Sequence, residues 1–169
     1  MDPQVRTSPY IDLSPQCALP SRARTPSATR KTPATSKKAP ATKRIPILIV
    51  EDEFLVGIEA EAALNEAGFE VVGIAASAEN AIAMAASLRP SVVVMDIRLA
   101  GERDGVDAAL ELFRDYGIRC LFATAHQDET VRKRASPALP LGWLNKPYTG
   151  ASLVESVRQA ALDVTRKTH

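Results

Sequence analysis

Five short apolar runs, each followed by a stretch of helical periodicity, constrain this chain more than any other feature. The runs are IPILIV (45–50), FEVVGIAA (69–76), SVVVM (91–95), IRCLFAT (118–124) and PLGWLNK (140–146). Strands that are apolar throughout, rather than alternating with polar residues, are those of a parallel sheet covered on both faces. Between them, EFLVGIEAEAALNEAG (53–68) places Leu55, Ile58, Ala62 and Ala63 at the spacing of one helix face and closes on Gly68. SAENAIAMAASL (77–88) begins on Ser77 as N-cap, and Pro90 bars its continuation. DGVDAALELFRDYG (104–117) aligns Val106, Ala109, Leu110 and Phe113. DETVRKRA (128–135) predicts a short helix, and TGASLVESVRQAALDVTRK (149–167) aligns Leu153, Val157 and Ala161. Right-handed crossovers make of this alternation an α/β protein: a doubly wound, five-stranded parallel sheet of flavodoxin-like (βα)5 type over residues 45–167.

The chain before that point obeys different physics. Residues 1–44 hold nine Lys or Arg against two acids, a balance of +7, and seven of the twelve prolines. A segment of Pro, Ser, Thr, Ala, Lys and Arg buries too little apolar surface to offset its ordering entropy, so a disordered tail is expected. Its charge would suit a nucleic-acid tether, but no aromatic residue is interleaved with the basic cluster, and a solvated extension is the preferred reading. No run approaches the ~20 apolar residues of a membrane helix, and the N-terminus lacks the order of a secretory signal. Cys17 and Cys120 sit in unlike settings, so we expect no disulfide and a reducing, cytoplasmic setting.

In a doubly wound sheet, function gathers at the carboxyl ends of the strands. There stand Glu51, Asp52 and Glu53 after the first strand, Asp96 after the third, Thr124 at the end of the fourth and Lys146 at the end of the fifth. Each has a plainer role available: Asp52 or Glu53 as a helix cap, Thr124 likewise, Lys146 as a solvated charge. Those roles do not explain why four strands should end on so complementary a set. Converging carboxylates repel unless a cation compensates. An oxygen-only cluster with room for water suits Mg²⁺. A carboxylate beside that ion can act as nucleophile towards phosphorus, and a Lys ammonium and a Thr hydroxyl suit phosphoryl oxygens.

IPILIVEDE, VVVMDIRL, LFATAH and LGWLNKP resemble the signature blocks of the receiver domain of bacterial two-component response regulators, over residues 45–165 and with fitting separations between Asp52, Asp96, Thr124 and Lys146. The resemblance implies that Asp96 accepts a phosphoryl group from a sensor histidine kinase or phosphotransfer protein. It implies that Asp52 binds Mg²⁺ directly and Glu51 through water, with Asp96 and the backbone carbonyl of Arg98 completing the ligands. Thr124 would move to the phosphoryl group and Lys146 pair with it. Trp143 stands at the switch aromatic, and Arg98 and His126 at positions that tune phosphorylation and dephosphorylation. The chain departs from the family pattern in three places: IRLAGERDG lacks the usual proline, Pro137 and Pro140 shorten the fourth helix, and Trp143 replaces a smaller aromatic. No output domain is read after the last helix, so a stand-alone receiver with an unknown downstream protein, without membrane span or nucleic acid, is expected. The alternative is a Mg²⁺-dependent phosphatase-like enzyme with Asp96 as nucleophile. Such enzymes carry an aspartate where this chain has Arg98, which counts against it.

Overall fold

The computed structural model describes residues 44–125 and 129–166; the basic segment before Arg44 and His126 lie outside them. Five parallel strands form one sheet: β1 (Pro46–Val50), β2 (Glu70–Ala75), β3 (Val92–Asp96), β4 (Cys120–Thr124) and β5 (Gly142–Asn145). Their order is β2-β1-β3-β4-β5, so the chain reverses direction across the sheet between β1 and β3. The fold is the flavodoxin-like sandwich expected, with α1 (Phe54–Glu66), α2 (Ala78–Leu88), α3 (Gly105–Tyr116), α4 (Glu129–Ala135) and α5 (Gly150–Arg166) on its two faces.

The uninterrupted apolar runs are the interior strands. β1, β3 and β4 are buried almost end to end, whereas β2 and β5, at the sheet edges, are only partly buried. Alternate residues serve opposite layers, as the pleat requires. Leu48, Val50, Val93, Met95 and Phe122 face α2 and α3, packing on Ala78, Ala81, Ala85, Val106 and Leu112. Ile47, Ile49, Val92, Val94 and Leu121 face α1 and α5, packing on Ala60, Leu64, Leu153 and Val157. Each large side chain so enclosed contributes about 1.5–3 kcal/mol of transfer free energy. Cys120 belongs to the first layer, where burial pushes its thiol up to about 12, leaving it an inert core residue.

The expected face of α5 is buried; on α3 Val106 and Ala109 are buried while Leu110 and Phe113 are only partly so, and the face of α1 is corrected. Its inward residues are Gly57, Ala60 and Leu64, while Leu55 is 69% and Ile58 40% exposed, with Phe54 beside them at 72%. Apolar residues cover nearly the whole circumference of this helix, so periodicity alone does not choose a side. Close approach does: a Cβ on Gly57 would lie 3.1 Å from Ile74, and only the small-residue side lets α1 seat against the sheet. The fourth helix is short, as its prolines predict. After two turns it passes into a 3-10 turn, Ser136–Ala138, ended by Leu139 in the left-handed region at φ 48°.

α3 begins on a capping box. Asp104 accepts the N–H groups of Val106 and Asp107 at 2.9 and 3.0 Å, and Asp107 accepts the N–H of Asp104. Arg134 of α4 also hydrogen-bonds Asp104, and lies 3.6 Å from Asp107. Burial alone would raise the Asp104 carboxyl, but the Arg134 guanidinium and the helix N–H groups outweigh it and hold the carboxyl below its ordinary 3.8. A folded pKa below the unfolded one contributes stability above the unfolded value and loses it as pH falls through the folded value. Asp104→Asn keeps the cap geometry without the charge. The melting-temperature gap between wild type and this variant is therefore expected to close as pH falls below about 4; a gap that persists under acid contradicts the assignment.

Candidate functional site

The carboxyl edge is built by strand ends that are remote in sequence and adjacent in space. Val50 of β1 pairs with Met95 of β3, so Glu51 and Asp96 leave neighbouring strands side by side. Asp96 pairs in register with Ala123 of β4, and Thr124 with Asn145 of β5. Glu51, Asp96 and Thr124 are buried polar residues, while Asp52 is exposed.

The structure brings Glu51, Asp52, Asp96 and Lys146 together. One carboxylate oxygen from each acid lies within 4.8 Å of the other two. The Lys146 ammonium donates to Glu51 Oε2 and to Asp96 Oδ2, at 2.6 Å each. The other oxygen of Asp96 accepts the backbone N–H of Arg98 at 3.2 Å. Glu53 stands at the N-cap position of α1 but makes no side-chain capping bond. Thr124 ends β4, and its carbonyl accepts the Lys146 N–H at 2.8 Å.

Burial raises the Glu51 carboxyl above its usual 4.5; the Lys146 hydrogen bond opposes this and the Asp96 charge adds to it. Burial would lower the Lys146 ammonium, but its bonds to Asp96 and Glu51 prevail, so its pKa is raised and it is a cation throughout the physiological range. One lysine against three carboxylates leaves an excess of negative charge. The donor set is oxygen only, and its exposed member, Asp52, opens it to water. These residues fit a small hard cation such as Mg²⁺.

Gly105 is a site residue that periodicity does not identify. Its N–H donates to the Ile97 carbonyl at 2.9 Å, and a Cβ there would run into the carbonyl oxygen of Asp96. α3 thus starts directly against the peptide that carries Asp96, which only glycine permits. Behind the site, Trp143 stacks on Phe122 with ring centroids 4.9 Å apart, and the Arg132 guanidinium lies 5.0 Å from the Trp143 ring on α4's side. Beside the site, between α1 and α5, opens a groove of about 450 Å³ lined by Val56, Ala60, Lys146, Tyr148 and Leu153 among others.

Fold and site together define a class: doubly wound α/β proteins with a lysine-bridged acid cluster at the carboxyl edge of the sheet. The sequence pattern of the response regulator receiver domain matches residues 47–158. The chain belongs to the response regulator receiver domain family. It is 32% identical over 114 residues to the transcriptional regulatory protein PdtaR of Mycobacterium tuberculosis, covering 68% of this chain and 55% of PdtaR. It is also 32% identical over 116 residues to the phyllosphere-induced regulator PhyR of Methylorubrum extorquens, covering 68% of this chain and 42% of PhyR. The chain thus spans about half the length of these relatives. Among solved structures it is similar to the signal receiver domain of a modulated diguanylate cyclase from Desulfovibrio desulfuricans G20, with a TM-score of 0.66, 32% identity, and coverage of 72% of this chain and 97% of that one. The family is one of two-component signalling switches. Among the described residues no helix is long and apolar enough to cross a membrane.

Proposed function

We propose that this chain acts as a response-regulator receiver whose Asp96 takes a phosphoryl group from a phosphohistidine on a sensor kinase or phosphotransfer protein. The observation that carries this reading is the Lys146 ammonium bridging Glu51 and Asp96 at 2.6 Å each, inside an acid cluster closed by Asp52. Bound Mg²⁺, held by Asp52, Asp96 and the Arg98 carbonyl, with Glu51 acting through water, would offset carboxylate repulsion and phosphoryl charge. The Asp96 oxygen attacks phosphorus in line, the phosphorus–nitrogen bond of the donor breaks, and the imidazole leaves to take up a proton. Lys146 exchanges part of its bond to Asp96 for one to a phosphoryl oxygen. The Thr124 hydroxyl, on the neighbouring strand, donates to another. The groove between α1 and α5 and the exposed Phe54, Leu55 and Ile58 lie beside this edge and provide an apolar surface for the donor.

Phe122 and Thr124 share one face of β4, being two residues apart, and Phe122 carries the Trp143 stack. Movement of Thr124 towards a phosphoryl group therefore reaches Trp143 and the β4–α4–β5 surface, shifting a two-state equilibrium there. Arg98 occupies the place where an acid for turnover of external phosphate esters would stand, which favours a switch over a phosphatase. His126 keeps its proposed tuning role, two residues past Thr124. Trp143 is the only tryptophan of the chain and reports on the transition. On mixing with Mg²⁺ and acetyl phosphate, the protein is expected to become labelled at one aspartate and to change its Trp143 emission. Asp52→Asn is expected to lose most of the Mg²⁺ dependence of that labelling. Labelling that is independent of Mg²⁺ in the wild type would overturn the metal's place in the reading.

A further inference from the structure

The groove between α1 and α5 joins apolar walls to a rim whose charge is negative and unpaired. The walls are Val56 and Ala60 of α1, Pro147, and Leu153 of α5. Its volume of about 450 Å³ falls in the range that holds a small organic molecule. Two carboxylates border it, those of Glu53 and Glu59. Both residues are exposed, and among the described residues neither enters an ion pair or a side-chain hydrogen bond. α1 itself carries no basic residue. Lys146, the one cation among the described residues that line the groove, is committed to Glu51 and Asp96 at 2.6 Å each.

The two carboxylates are placed as a pair. Glu53 immediately precedes α1 and Glu59 lies within it. At the helical rise per residue they stand roughly 9 Å apart along the helix axis. By angle, Val56 and Ala60 fall in the arc between them, so the two carboxylates bracket an apolar strip. Tyr148 adds a third polar group. Its ring packs on the core layer under α1 and α5, and its hydroxyl has no hydrogen-bond partner among the described residues. Burial and the charge of Glu51 raise the phenol above its ordinary 10, against the opposing charge of Lys146, so it stays a neutral oxygen that can accept a hydrogen bond.

We propose that this groove binds a linear aliphatic diamine. One ammonium group is met by Glu53 and the other by Glu59, and the methylene chain lies on Val56, Ala60 and Leu153. Charge complementarity selects this occupant. A divalent metal ion needs carboxylates that converge, as Glu51, Asp52 and Asp96 do within 4.8 Å, whereas Glu53 and Glu59 are held apart by apolar side chains. An anion would meet no uncommitted cation, and a monoamine would leave one carboxylate unmet. Each exposed ion pair contributes little alone, so two pairs and the buried methylenes act together. The occupant covers the surface offered to the phosphoryl donor; that consequence rests on the reading of Asp96 as acceptor, while the binding does not.

The test uses the full chain with three probes of one chain length: hexamethylenediamine, hexylamine and hexanediol. Physiological salt and excess Mg²⁺ are present throughout, so that the amines do not report on the acid cluster. Binding is followed by calorimetry and by broadening of the probe's proton resonances. The diamine is expected to bind saturably and about three- to fivefold more tightly than hexylamine, with the diol weakest. Glu53→Gln and Glu59→Gln are each expected to bring the diamine down to the level of the monoamine, and the double variant to weaken it by about tenfold. Both positions are exposed, so loss of binding there is not loss of folding. Glu61→Gln removes the same charge from the same helix outside the groove and is expected to leave binding unchanged. Equal diamine affinity of wild type and the double variant overturns the proposal, as does an equal loss in Glu61→Gln or the absence of saturable binding. Tighter binding of hexylamine, or of a lysine-containing peptide, gives the rim to a single cation or a protein segment and overturns it as well. Diamine binding without labelling of Asp96 supports the groove and defeats the phosphoryl-acceptor reading; labelling without diamine binding does the reverse.

Discussion

Asp96→Asn is expected to take up no phosphoryl group from acetyl phosphate and Mg²⁺, and to melt no lower than the wild type by more than a few degrees. The first half follows from chemistry: a carboxamide offers phosphorus neither the charge nor the lone-pair basicity of a carboxylate, and no neighbouring acid is placed to replace it. Glu51 is tied to Lys146 on the buried side, and Asp52 is a cation ligand in the proposed arrangement. The second half follows from electrostatics. Asp96 converges with Glu51 and Asp52 to within 4.8 Å, and removing one of three like charges relieves repulsion. The cost is the bond from Lys146, which retains Glu51 at 2.6 Å. Two opposing terms of about 1–3 kcal/mol each leave a small net change. Labelling with radioactive acetyl phosphate, beside thermal melting, checks both halves. Undiminished labelling sinks the assignment of Asp96. A collapse in melting temperature would show that the Lys146 bridge outweighs the repulsion.

Gly105→Ala is expected to damage both stability and phosphoryl uptake, without touching a titratable group. The added methyl would occupy the place of the Asp96 carbonyl oxygen, so either α3 must withdraw or the Asp96 peptide must turn. Overpacking of this kind costs about 1–3 kcal/mol, and each kcal/mol lowers the melting temperature by roughly 4 °C in a domain of about this size. The displacement falls on the backbone that aims the Asp96 carboxylate and presents the Arg98 N–H, so the rate of labelling should fall with it. Gly73→Ala is the control. There the obstacle is the terminal methyl of Met84, the end of a flexible side chain remote from the site. A Gly105→Ala protein as stable and as readily labelled as Gly73→Ala would refute the close-approach argument.

Both predictions concern residues that differ in how plainly the sequence announced them. Asp96 was legible because a buried strand must end where a charge begins, and SVVVMD states that boundary in six letters. Lys146 was legible as one strand's terminal charge, but its bridging of Glu51 and Asp96 joins residues 95 and 50 positions away. That contact exists because β1, β3, β4 and β5 stand side by side in the order 1-3-4-5. Gly105 lies at the head of the helical segment 104–117. Its necessity depends on how closely α3 approaches β3, a tertiary distance with no periodic signature. Arg134 carries no signal in the sequence for its contact with the cap of α3, which joins two helices remote along the chain.

The alternation of apolar runs with helical segments determined the parallel sheet, its two covered faces and the edge at which polar residues gather, because strand burial and helix periodicity are local properties of the chain. Proline placement likewise determined that the fourth helix is short, through lost hydrogen bonds and fixed backbone angles. Which side of α1 is buried was decided only in the folded state, since its apolar residues surround the helix and the close seat of Gly57 against Ile74 breaks the tie. The sandwich of Phe122, Trp143 and Arg132 was decided there too. It depends on three elements meeting at one point, and side-chain packing between remote segments leaves no trace in the spacing of any one of them.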